Sequence, residues 1–413
     1  MQLYNLLTHF QPIVSLKDNK IIGIESLSRG LTETGDLISP SILFKNADLK
    51  NETLTLDRNC RYNALKNFSK INKSCCDEIL LFLNVDISIM DKFKIDFGWT
   101  NTKVNEMGLK PSNIVLEIIE DKCENSEKLI EFVEKYRSQG FLIAIDDFGT
   151  DNSNFNRIVQ IKPDIIKISG NLVTGISKNF IKKSIVKSIV SLSKKIGTVI
   201  IAEWVENAED AVKCFELGID MFQGFYFGMP QAIDDLDILS EEMKNKFEHI
   251  NEMIESKVEI RNNIVNYFGE VSVSIINILR RYEENMFDNI LGELKKELTE
   301  VESIYILNIN GIQISSIYCK DCSHILKKNI IFRYGDINSD HSQKDYYLNT
   351  SCSLNNRYIT DKYISPITGN LIVTVASKFK NIDDKQFILC INFDIASIED
   401  KAYNLNSYEQ TII

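Results

Sequence analysis

The sequence predicts an α/β barrel, followed by a helical segment and a small antiparallel sheet. Three observations support this prediction. Short apolar runs alternate with longer helical patterns up to about residue 230. Residues 234 to about 300 are charged, almost free of Gly and Pro, and carry apolar residues at helical spacing. Apolar, β-branched runs of strand length return after Ser303.

Eight apolar runs of strand length precede residue 230. They span residues 10–16, 20–27, 79–85, 113–118, 141–145, 164–168, 198–202 and 219–222. Helical patterns lie near 54–70, 126–138, 176–196 and 207–217. This alternation implies parallel strands with helical crossovers, and eight strands fit a TIM-like (β/α)8 barrel of roughly 250 residues. Only residues 17–19 separate the first two runs, so that link requires a hairpin and makes one strand antiparallel.

A chain of 413 residues is too long for one ordinary core. We expect a barrel at 1–233, a helical linker at 234–300 and a small α+β domain at 301–413. In the linker, Leu236, Leu239, Met243 and Phe247 follow helical spacing. In the last part, a turn signal at Asn310-Gly311 and the apolar runs at 370–377 and 386–393 predict the antiparallel sheet.

Composition restricts the function classes. Hydrophobic residues make up 44% of the chain and charged residues 25%, which is typical of a globular protein in water. The formal net charge of −11 argues against binding to long nucleic acid, which requires a basic surface. Nine scattered cysteines favour reduced thiols over a disulfide framework. No apolar stretch of about 18 residues is present, so we expect a cytoplasmic protein with no direct membrane span.

Polar residues stand at the carboxyl ends of seven predicted strands. They are Glu25, Asn84, Glu117, Asp146 with Asp147, Lys167, Glu203 and Gln223. The carboxyl ends of barrel strands converge on one face, where barrel enzymes keep their active sites. A single acid or amide at a strand end is usually a helix cap or a turn residue. Seven compatible groups are much harder to explain in that way.

The residue types at these positions suit divalent metal ions. Carboxylates and amide oxygens are hard ligands that Mg²⁺ and Mn²⁺ prefer. Adjacent Asp146 and Asp147 can serve two ions, and two ions about 3.5–4 Å apart suit in-line displacement at a phosphate. Lys167 adds a positive charge near the phosphate or the nucleophile, and Arg29 can bind a phosphate through its planar fork. The absence of His from this set disfavours zinc. The pattern indicates metal-assisted attack on a phosphodiester.

Over residues 6–232, the chain resembles the EAL-domain family of cyclic di-GMP phosphodiesterases. The matching segments, in order, are Gln11-Pro12-Ile13-Val14, Glu25-Ser26-Leu27-Ser28-Arg29, Asn84, Leu116-Glu117-Ile118-Ile119-Glu120, Asp146-Asp147-Phe148-Gly149-Thr150, Lys167, Ala202-Glu203 and Gln223-Gly224-Phe225-Tyr226-Phe227-Gly228-Met229-Pro230. The resemblance implies hydrolysis of one phosphodiester of cyclic di-GMP to linear pGpG, two bound Mg²⁺ or Mn²⁺ ions, and a homodimer.

The resemblance also implies a role for each matching residue. Glu25, Asn84, Glu117 and Asp146 would ligate one metal ion, and Asp147 would help to hold the second. Lys167 and Glu203 would position and activate the attacking water. Gln11, Leu27, Arg29 and Gln223 would hold the substrate. Glu120 would anchor the loop after Asp147.

Several positions depart from the family pattern without removing a proposed metal ligand, and the segment Asn152-Ser153-Asn154-Phe155 is among them. Ser26 replaces the Ala of the name-giving motif, Asp151 the last Gly of Asp-Asp-Phe-Gly-Thr-Gly, Ser169 an Asp, and Trp204 the Gly beside Glu203. The changes near the loop and Glu203 leave open a second function, a catalytically weak cyclic di-GMP receptor that signals through its C-terminal domain. A third alternative is a different phosphodiester substrate.

The arrangement of barrel, helical linker and small sheet resembles EAL proteins with a C-terminal PAS-like or Cache-like sensor. That resemblance implies either an unidentified small ligand under the sheet or a dimerisation module without a ligand. Cys319, Cys322 and His324 raise the alternative of a zinc site. Because a second ligand pair at zinc-finger spacing is missing, ordinary thiols are the preferred interpretation.

Overall fold

The structure, a computed structural model, describes residues 5–32, 34–70, 79–89, 98–119, 126–150, 155–232, 236–319, 335–352, 356–366 and 368–398. The chain divides into two compact units, residues 1–254 and 255–413. Each unit is described by itself. The domain boundaries at 233 and 300 remain a prediction. A single helix runs from Leu236 to Leu279 and belongs to both units.

The first unit contains a closed barrel of eight strands. The strands of this unit are β1 (Asn5–Ser15), β2 (Lys20–Leu31), β3 (Leu37–Ile38), β4 (Leu80–Val85), β5 (Ile114–Ile119), β6 (Leu142–Phe148), β7 (Ile165–Ile168), β8 (Val199–Ala202) and β9 (Met221–Gln223). Their order is β1-β9-β8-β7-β6-β5-β4-β2, and pairing of β1 with β2 closes the ring, while β3 extends the far end of β2. β1 is antiparallel to both neighbours and the other barrel pairs are parallel. The predicted TIM-like barrel with one antiparallel strand is confirmed.

Helices cover the outside of the strands. They are α1 (Pro40–Leu49), α2 (Thr53–Phe68), α3 (Trp99–Glu106), α4 (Ser126–Ser138), α5 (Phe155–Ile161), α6 (Gly170–Val173), α7 (Phe180–Ile196) and α8 (Ala208–Glu216). α7 begins after Asn179, whose side chain accepts a hydrogen bond from Lys182 N, and ends at Gly197 with φ 74°. Such a cap and such a left-handed glycine are the expected start and stop signals of a helix.

The barrel interior is filled by an apolar layer. Its fully or nearly buried members are Ile13, Phe82, Val115, Ala144, Ile165 and Ile201. At this level β2 contributes Gly23. A Cβ at that position would lie 2.8 Å from a ring carbon of Phe82 and 2.8 Å from Leu80 O, so no larger residue fits without a shift. The absence of a side chain at Gly23 therefore lets the Phe82 ring fill the barrel.

The second unit is built on an antiparallel sheet. α9 (Leu236–Leu279) begins in the first unit and ends in this one. It is followed by α10 (Phe287–Glu297), β10 (Val301–Asn308), β11 (Tyr318–Cys319), α11 (Asp345–Cys352), β12 (Arg357–Ile359), β13 (Tyr363–Ile364), β14 (Leu371–Lys380) and β15 (Gln386–Asp394). The strand order is β11-β10-β15-β14-β12, with β13 also paired to β14. Residues of α9 and α10, among them Phe268, Leu279 and Phe287, share a core with the sheet.

The structure bears on two further predictions, which concern the state of the cysteines and the absence of a membrane span. Cys319 is disulfide-bonded, so the prediction of reduced thiols is wrong for this residue, whereas Cys60, Cys214, Cys352 and Cys390 are free. Cys322 and His324 lie outside the described residues. No described helix, α9 included, combines the length and the hydropathy that a bilayer crossing requires.

Candidate active site

The polar side chains of the barrel interior lie next to the apolar layer, at positions that the alternation of the strands fixes. Side chains two residues apart on a strand lie on the same face. Two residues beyond the apolar layer, toward the carboxyl ends of β2 and β4–β9, the inner face therefore carries polar groups. They are Glu25, Asn84, Glu117, Asp146, Lys167, Glu203 and Gln223. We call this opening of the barrel the barrel mouth.

Lys167 lies at the centre of four acidic side chains. Its Nζ is 2.7 Å from Glu117 Oε1, 2.9 Å from Glu203 Oε1, and 3.1 Å from both Glu25 Oε2 and Asp146 Oδ1. All five side chains are buried. Since an ammonium has three N–H groups, it cannot satisfy four carboxylates at once. Both carboxylate oxygens of Glu117, and Asp146 Oδ1, have no hydrogen-bond partner, so their contacts with Lys167 are ion pairs without hydrogen-bond geometry.

Burial and mutual repulsion disturb the ionisation of these acids. Burial, together with the negative charge of neighbouring acids, raises the pKa of Glu117 and Glu203 well above the usual range and raises that of Asp146. Burial would lower the pKa of Lys167, but the four carboxylates outweigh it and hold that pKa well above its usual value. The cluster has more acidic groups than its one lysine can balance when all of them are ionised.

Glu25 differs from the other acids because it accepts several hydrogen bonds. Asn84 Nδ2 donates to Glu25 Oε1 at 2.8 Å, and Gln223 Nε2 donates to Glu25 Oε2 at 2.7 Å. Burial would raise the pKa of Glu25, but Lys167 and these two donors outweigh it and hold the pKa below its usual value. Gln223 Nε2 also lies 3.2 Å from Gln11 Oε1, so two predicted substrate-binding residues join the predicted metal ligands.

The two adjacent aspartates sit on an irregularity of β6. Ile145 pairs with Ile166 and Phe148 with Ile168, so β6 contains one residue more than β7 between these pairs. Such a bulge redirects side chains. Asp147 has φ 55°, and its negative charge contributes to the raised pKa of Asp146, after burial and the charge of Glu25. The bulge thus brings both carboxylates to the barrel mouth.

The β1–β2 hairpin extends this polar face beyond the barrel. Gln11 pairs with Glu25, His9 with Leu27, and Leu7 with Arg29. Residues two apart on a strand lie on the same face, so Leu27 and Arg29 share a face with Glu25. Directly paired residues of an antiparallel ladder also share a face, so their partners lie there too. Arg29 Nη1 donates to Ser28 O at 2.9 Å.

His9 was not selected from the sequence, although it lies on this same face. Burial and the nearby charge of Arg29 lower its pKa. The signal that could have identified it is its spacing of two residues from Gln11 along a strand.

The departures from the family pattern have different surroundings. The Ser26 hydroxyl is buried and donates to Phe82 O at 3.0 Å, so its polarity is satisfied. The Ser169 hydroxyl is buried without a hydrogen-bond partner. Trp204 is 55% exposed and has φ 55°. Glu120 and Asp151 lie outside the described residues.

The donor set of the barrel mouth fits divalent cations. Among the described residues, no three acidic or imidazole side chains are already arranged around a point that could hold an ion. The Lys167 ammonium occupies the centre of the cluster instead. Ionisation of all four acids beside one ammonium would leave three negative charges unmatched, which a bound cation would offset, and the buried oxygens of Glu117 and Asp146 lack donors. Oxygen ligands with excess negative charge are what Mg²⁺ and Mn²⁺ require.

Comparison with known proteins agrees with this geometry. Residues 2–230 match the EAL domain family. The chain belongs to the EAL domain family. It is 24% identical over 396 residues to the EAL-domain containing protein YkuI of Bacillus subtilis, covering 93% of each chain. It is 30% identical over 227 residues to the cyclic di-GMP phosphodiesterase PdeA of Borreliella burgdorferi, which is 54% of this chain and 33% of that relative.

Solved structures extend the comparison to the fold. YkuI in complex with its substrate c-di-GMP and calcium superimposes with a TM-score of 0.73 at 24% identity, covering 94% of this chain and 96% of that one. Klebsiella pneumoniae BlrP1, in a manganese and cyclic di-GMP complex at pH 6, gives a TM-score of 0.50 at 25% identity, covering 56% and 57% of the two chains. The family prediction is confirmed. One relative is named a cyclic di-GMP phosphodiesterase, and the YkuI and BlrP1 structures hold c-di-GMP with calcium and manganese, respectively.

Proposed function

We propose that the chain is a divalent-metal-dependent phosphodiesterase that hydrolyses cyclic di-GMP to linear pGpG. The main support is the convergence of Glu25, Glu117, Asp146 and Glu203 on Lys167 within a buried barrel mouth. A buried cluster with unmatched negative charge is unfavourable for folding alone. Its presence in the barrel mouth therefore supports a role in binding cations and the phosphodiester that they accompany.

The proposed roles follow from the position of each side chain. Glu25, Asn84, Glu117 and Asp146 would hold one Mg²⁺ or Mn²⁺ ion and Asp147 the second. When bound, such ions stabilise the charge of an in-line displacement at phosphorus and favour ionisation of the attacking water. Lys167 fixes Glu203 by an ion pair of 2.9 Å, and the Glu203 carboxylate would accept a proton from the attacking water. Gln11 and Gln223, joined to each other, would hold the substrate with Leu27 and Arg29.

Further parts of the prediction are included in the proposal. We propose a cytoplasmic homodimer in which a PAS-like or Cache-like second unit regulates the barrel, with or without a small ligand. Exposed apolar side chains of α5 and α7 would suit contact with a second copy of the chain. They are Phe155, Val159, Ile181 and Ile185.

The test is turnover of cyclic di-GMP by the purified chain with Mg²⁺ or Mn²⁺, with the product identified by chromatography. Glu117→Gln keeps the side-chain shape but removes a charged metal ligand, so we expect hydrolysis to fall by more than about a hundredfold. Glu302→Gln is a matched control, because it makes the same change at a buried acid of the second unit. Linear product formed at the wild-type rate by Glu117→Gln would contradict the proposed metal site.

A catalytically weak cyclic di-GMP receptor is the second candidate. The observation that favours it is Trp204, a large exposed residue directly after Glu203. Binding and product formation should therefore be measured side by side. Tight binding with no linear product in either Mg²⁺ or Mn²⁺ would favour the receptor over the enzyme.

A further inference from the structure

Trp204 has an unusual conformation at the rim of the barrel mouth. It directly follows Glu203 at the carboxyl end of β8, and 55% of its surface is exposed. Its φ of 55° lies in the left-handed region, which large L residues rarely adopt. Residues held in such conformations cluster at active sites and ligand-binding segments. An exposed indole on a strained backbone therefore calls for a functional explanation.

Close contacts fix the position of the Trp204 ring. A Cβ built on Gly170 would lie 2.7 Å from Trp204 Cγ. The indole therefore packs directly against the Gly170 backbone, where no side chain intervenes. The centre of the Phe225 ring is 6.3 Å from that of Trp204, and 47% of Phe225 is exposed. The two aromatic residues thus form one exposed surface, which we call the aromatic rim.

Backbone hydrogen bonds hold the two halves of the aromatic rim together. Val205 N donates to Gln223 O, and Tyr226 N donates to Val205 O, each at 3.0 Å. Gly224 permits this approach, because a Cβ at that position would lie 2.2 Å from Val205 N and O. The aromatic rim is therefore formed before any ligand arrives, which lowers the entropic cost of binding.

The aromatic rim adjoins three residues of the proposed active site. Trp204 follows Glu203, Phe225 lies two residues after Gln223, and Gly170 lies three residues after Lys167. These segments come from the neighbouring strands β7, β8 and β9. A flat apolar surface next to a site for a phosphodiester is suited to binding a nucleobase. Every nucleobase has a flat π-face that can stack on an exposed aromatic side chain.

We propose that Trp204, with Phe225 beside it, stacks one guanine base of the dinucleotide whose phosphodiester lies over Lys167 and Glu203. This inference rests on the proposed function. It assigns Trp204 to substrate binding and explains why a bulky residue at this position is compatible with a working site. The indole adds a binding surface at the rim and leaves the buried acids in place.

Intrinsic fluorescence provides a direct test, because the chain has only two tryptophans. Trp99→Phe leaves Trp204 as the single emitter, and Trp99 itself lies beside Arg58 and Arg61, with guanidinium carbons 5.4 and 5.5 Å from the ring centroid. In full-length Trp99→Phe protein titrated with cyclic di-GMP and calcium, we expect saturable quenching. In Trp204→Phe protein, where Trp99 is the emitter, the quenching should disappear while affinity stays within about threefold, since Phe also stacks.

Affinity and kinetics complete the test. Trp204→Ala should raise Kd and KM together by roughly ten- to a hundredfold, the usual effect of losing one base–aromatic stack. Gly170→Ala should displace the indole and weaken binding, but it should have no further effect in the Trp204→Ala background. Comparison of the two single variants with the double variant tests whether Gly170 affects binding through Trp204. Circular dichroism of each variant verifies its fold.

The outcomes separate this inference from the proposed function. Hydrolysis by the wild type with unchanged Kd in Trp204→Ala, or with no quenching of Trp204, would overturn base stacking and leave the enzyme intact. Absence of both binding and product in the wild type would overturn the proposed function and this inference with it. Quenching that follows protein concentration instead of nucleotide would mean that the aromatic rim contacts a second copy of the chain, and that would also overturn the inference.

Discussion

Lys167 supplies the positive charge that four buried carboxylates share at the barrel mouth. Lys167→Met would leave those acids facing one another in a buried site. Because removing one partner of a buried ion pair leaves uncompensated charge, we expect the free energy of unfolding to fall by about 3 kcal/mol or more in EDTA. Urea unfolding of wild type and variant measures this difference. Saturating Mg²⁺ should restore part of the loss.

Lys182→Met is the matched control for this prediction. Lys182 donates to Thr174 O at 2.7 Å but is only half-buried and lies outside the acidic cluster. Its replacement should therefore change stability by less than about 0.5 kcal/mol. Equal losses in the two variants would mean that the charge of Lys167 has no special importance for the buried acids.

At the level of single residues, sequence reasoning selected the members of the cluster but not their contacts. Glu117, Asp146, Lys167 and Glu203 were selected because each follows an apolar run, and the period of two along a strand brings them together. The bond from Asn84 to Glu25 was not predictable, since it depends on the lateral spacing of β2 and β4. Their roles as metal ligands and catalytic groups remain predictions.

At the level of elements, the β1–β2 hairpin makes a specific prediction about His9. Its pairing with Leu27 places it between the Gln11–Glu25 and Leu7–Arg29 pairs. We expect His9→Ala to raise the Kd for cyclic di-GMP roughly two- to tenfold, the effect of losing one hydrogen bond. Isothermal titration calorimetry with calcium measures this change.

Thr8→Val provides the control for His9. Thr8 is the preceding residue, so it faces the other side of the strand, and its buried hydroxyl has no hydrogen-bond partner. Removing that hydroxyl should leave affinity unchanged. If both variants weaken binding alike, the whole hairpin matters and His9 makes no specific contact.

Asp210 connects α8 with the turn before α7. Its carboxylate accepts hydrogen bonds from Gly175 N at 2.8 Å, Ser177 N at 2.9 Å and Asn207 Nδ2 at 2.9 Å. Burial would raise the pKa of Asp210, but these donors outweigh it and hold the pKa below its usual value. We expect Asp210→Asn to lower the free energy of unfolding by about 2 kcal/mol at pH 7.

This difference should depend on pH in one direction. Because the folded pKa of Asp210 is depressed, the unfolded chain takes up the proton first as the pH falls, which favours unfolding. The advantage of wild type over Asp210→Asn should hold from pH 7 to about 5 and shrink below about pH 4, near the ordinary pKa of Asp. Urea unfolding at each pH gives the difference. A constant difference down to pH 3 would show that Asp210 stabilises the fold independently of its charge.

Some elements could not be recognised from the sequence. α1 buries only Leu43 and Ala47, so its apolar periodicity is weak. β3 has two residues, and α3 and α5 have eight and seven, which is below the length at which a periodic pattern becomes distinct. The barrel strands were recognisable because their apolar runs are long and bounded by polar residues.

At the level of the whole molecule, α9 agrees with the predicted helical segment and contributes to the cores of both units. The charged, proline-free segment predicted one or two helices, and the structure has two there, α9 of 44 residues and α10 of 11. The first half of α9 contributes Leu239, Met243, Phe247 and Ile250 to the core of the first unit. Its second half contributes Phe268, Ile275, Ile276 and Leu279 to the core of the second. One helix thus carries two separate apolar stripes, one for each core, and the boundaries at 233 and 300 remain a prediction.

The continuity of α9 allows the proposed regulation of the barrel by the second unit to be tested. If binding at the barrel mouth is coupled to the second unit through this helix, cyclic di-GMP with calcium should change hydrogen exchange of backbone amides at 264–279 as well as in the barrel. Glu259 is exposed between the two apolar stripes. Glu259→Pro removes a helical hydrogen bond at a cost of about 3 kcal/mol, so it should abolish the response at 264–279 and preserve that of the barrel.

Exchange followed by mass spectrometry distinguishes the possible outcomes, with Glu259→Ala as the control that removes the same charge but keeps the helix. We expect Glu259→Ala to respond like the wild type, because an exposed Ala is compatible with a helix. An unchanged response in Glu259→Pro would mean that coupling does not pass through α9. No response at 264–279 in the wild type would mean that the second unit does not sense the ligand state of the barrel. The proposed regulation therefore depends on an intact helix that contributes residues to both cores.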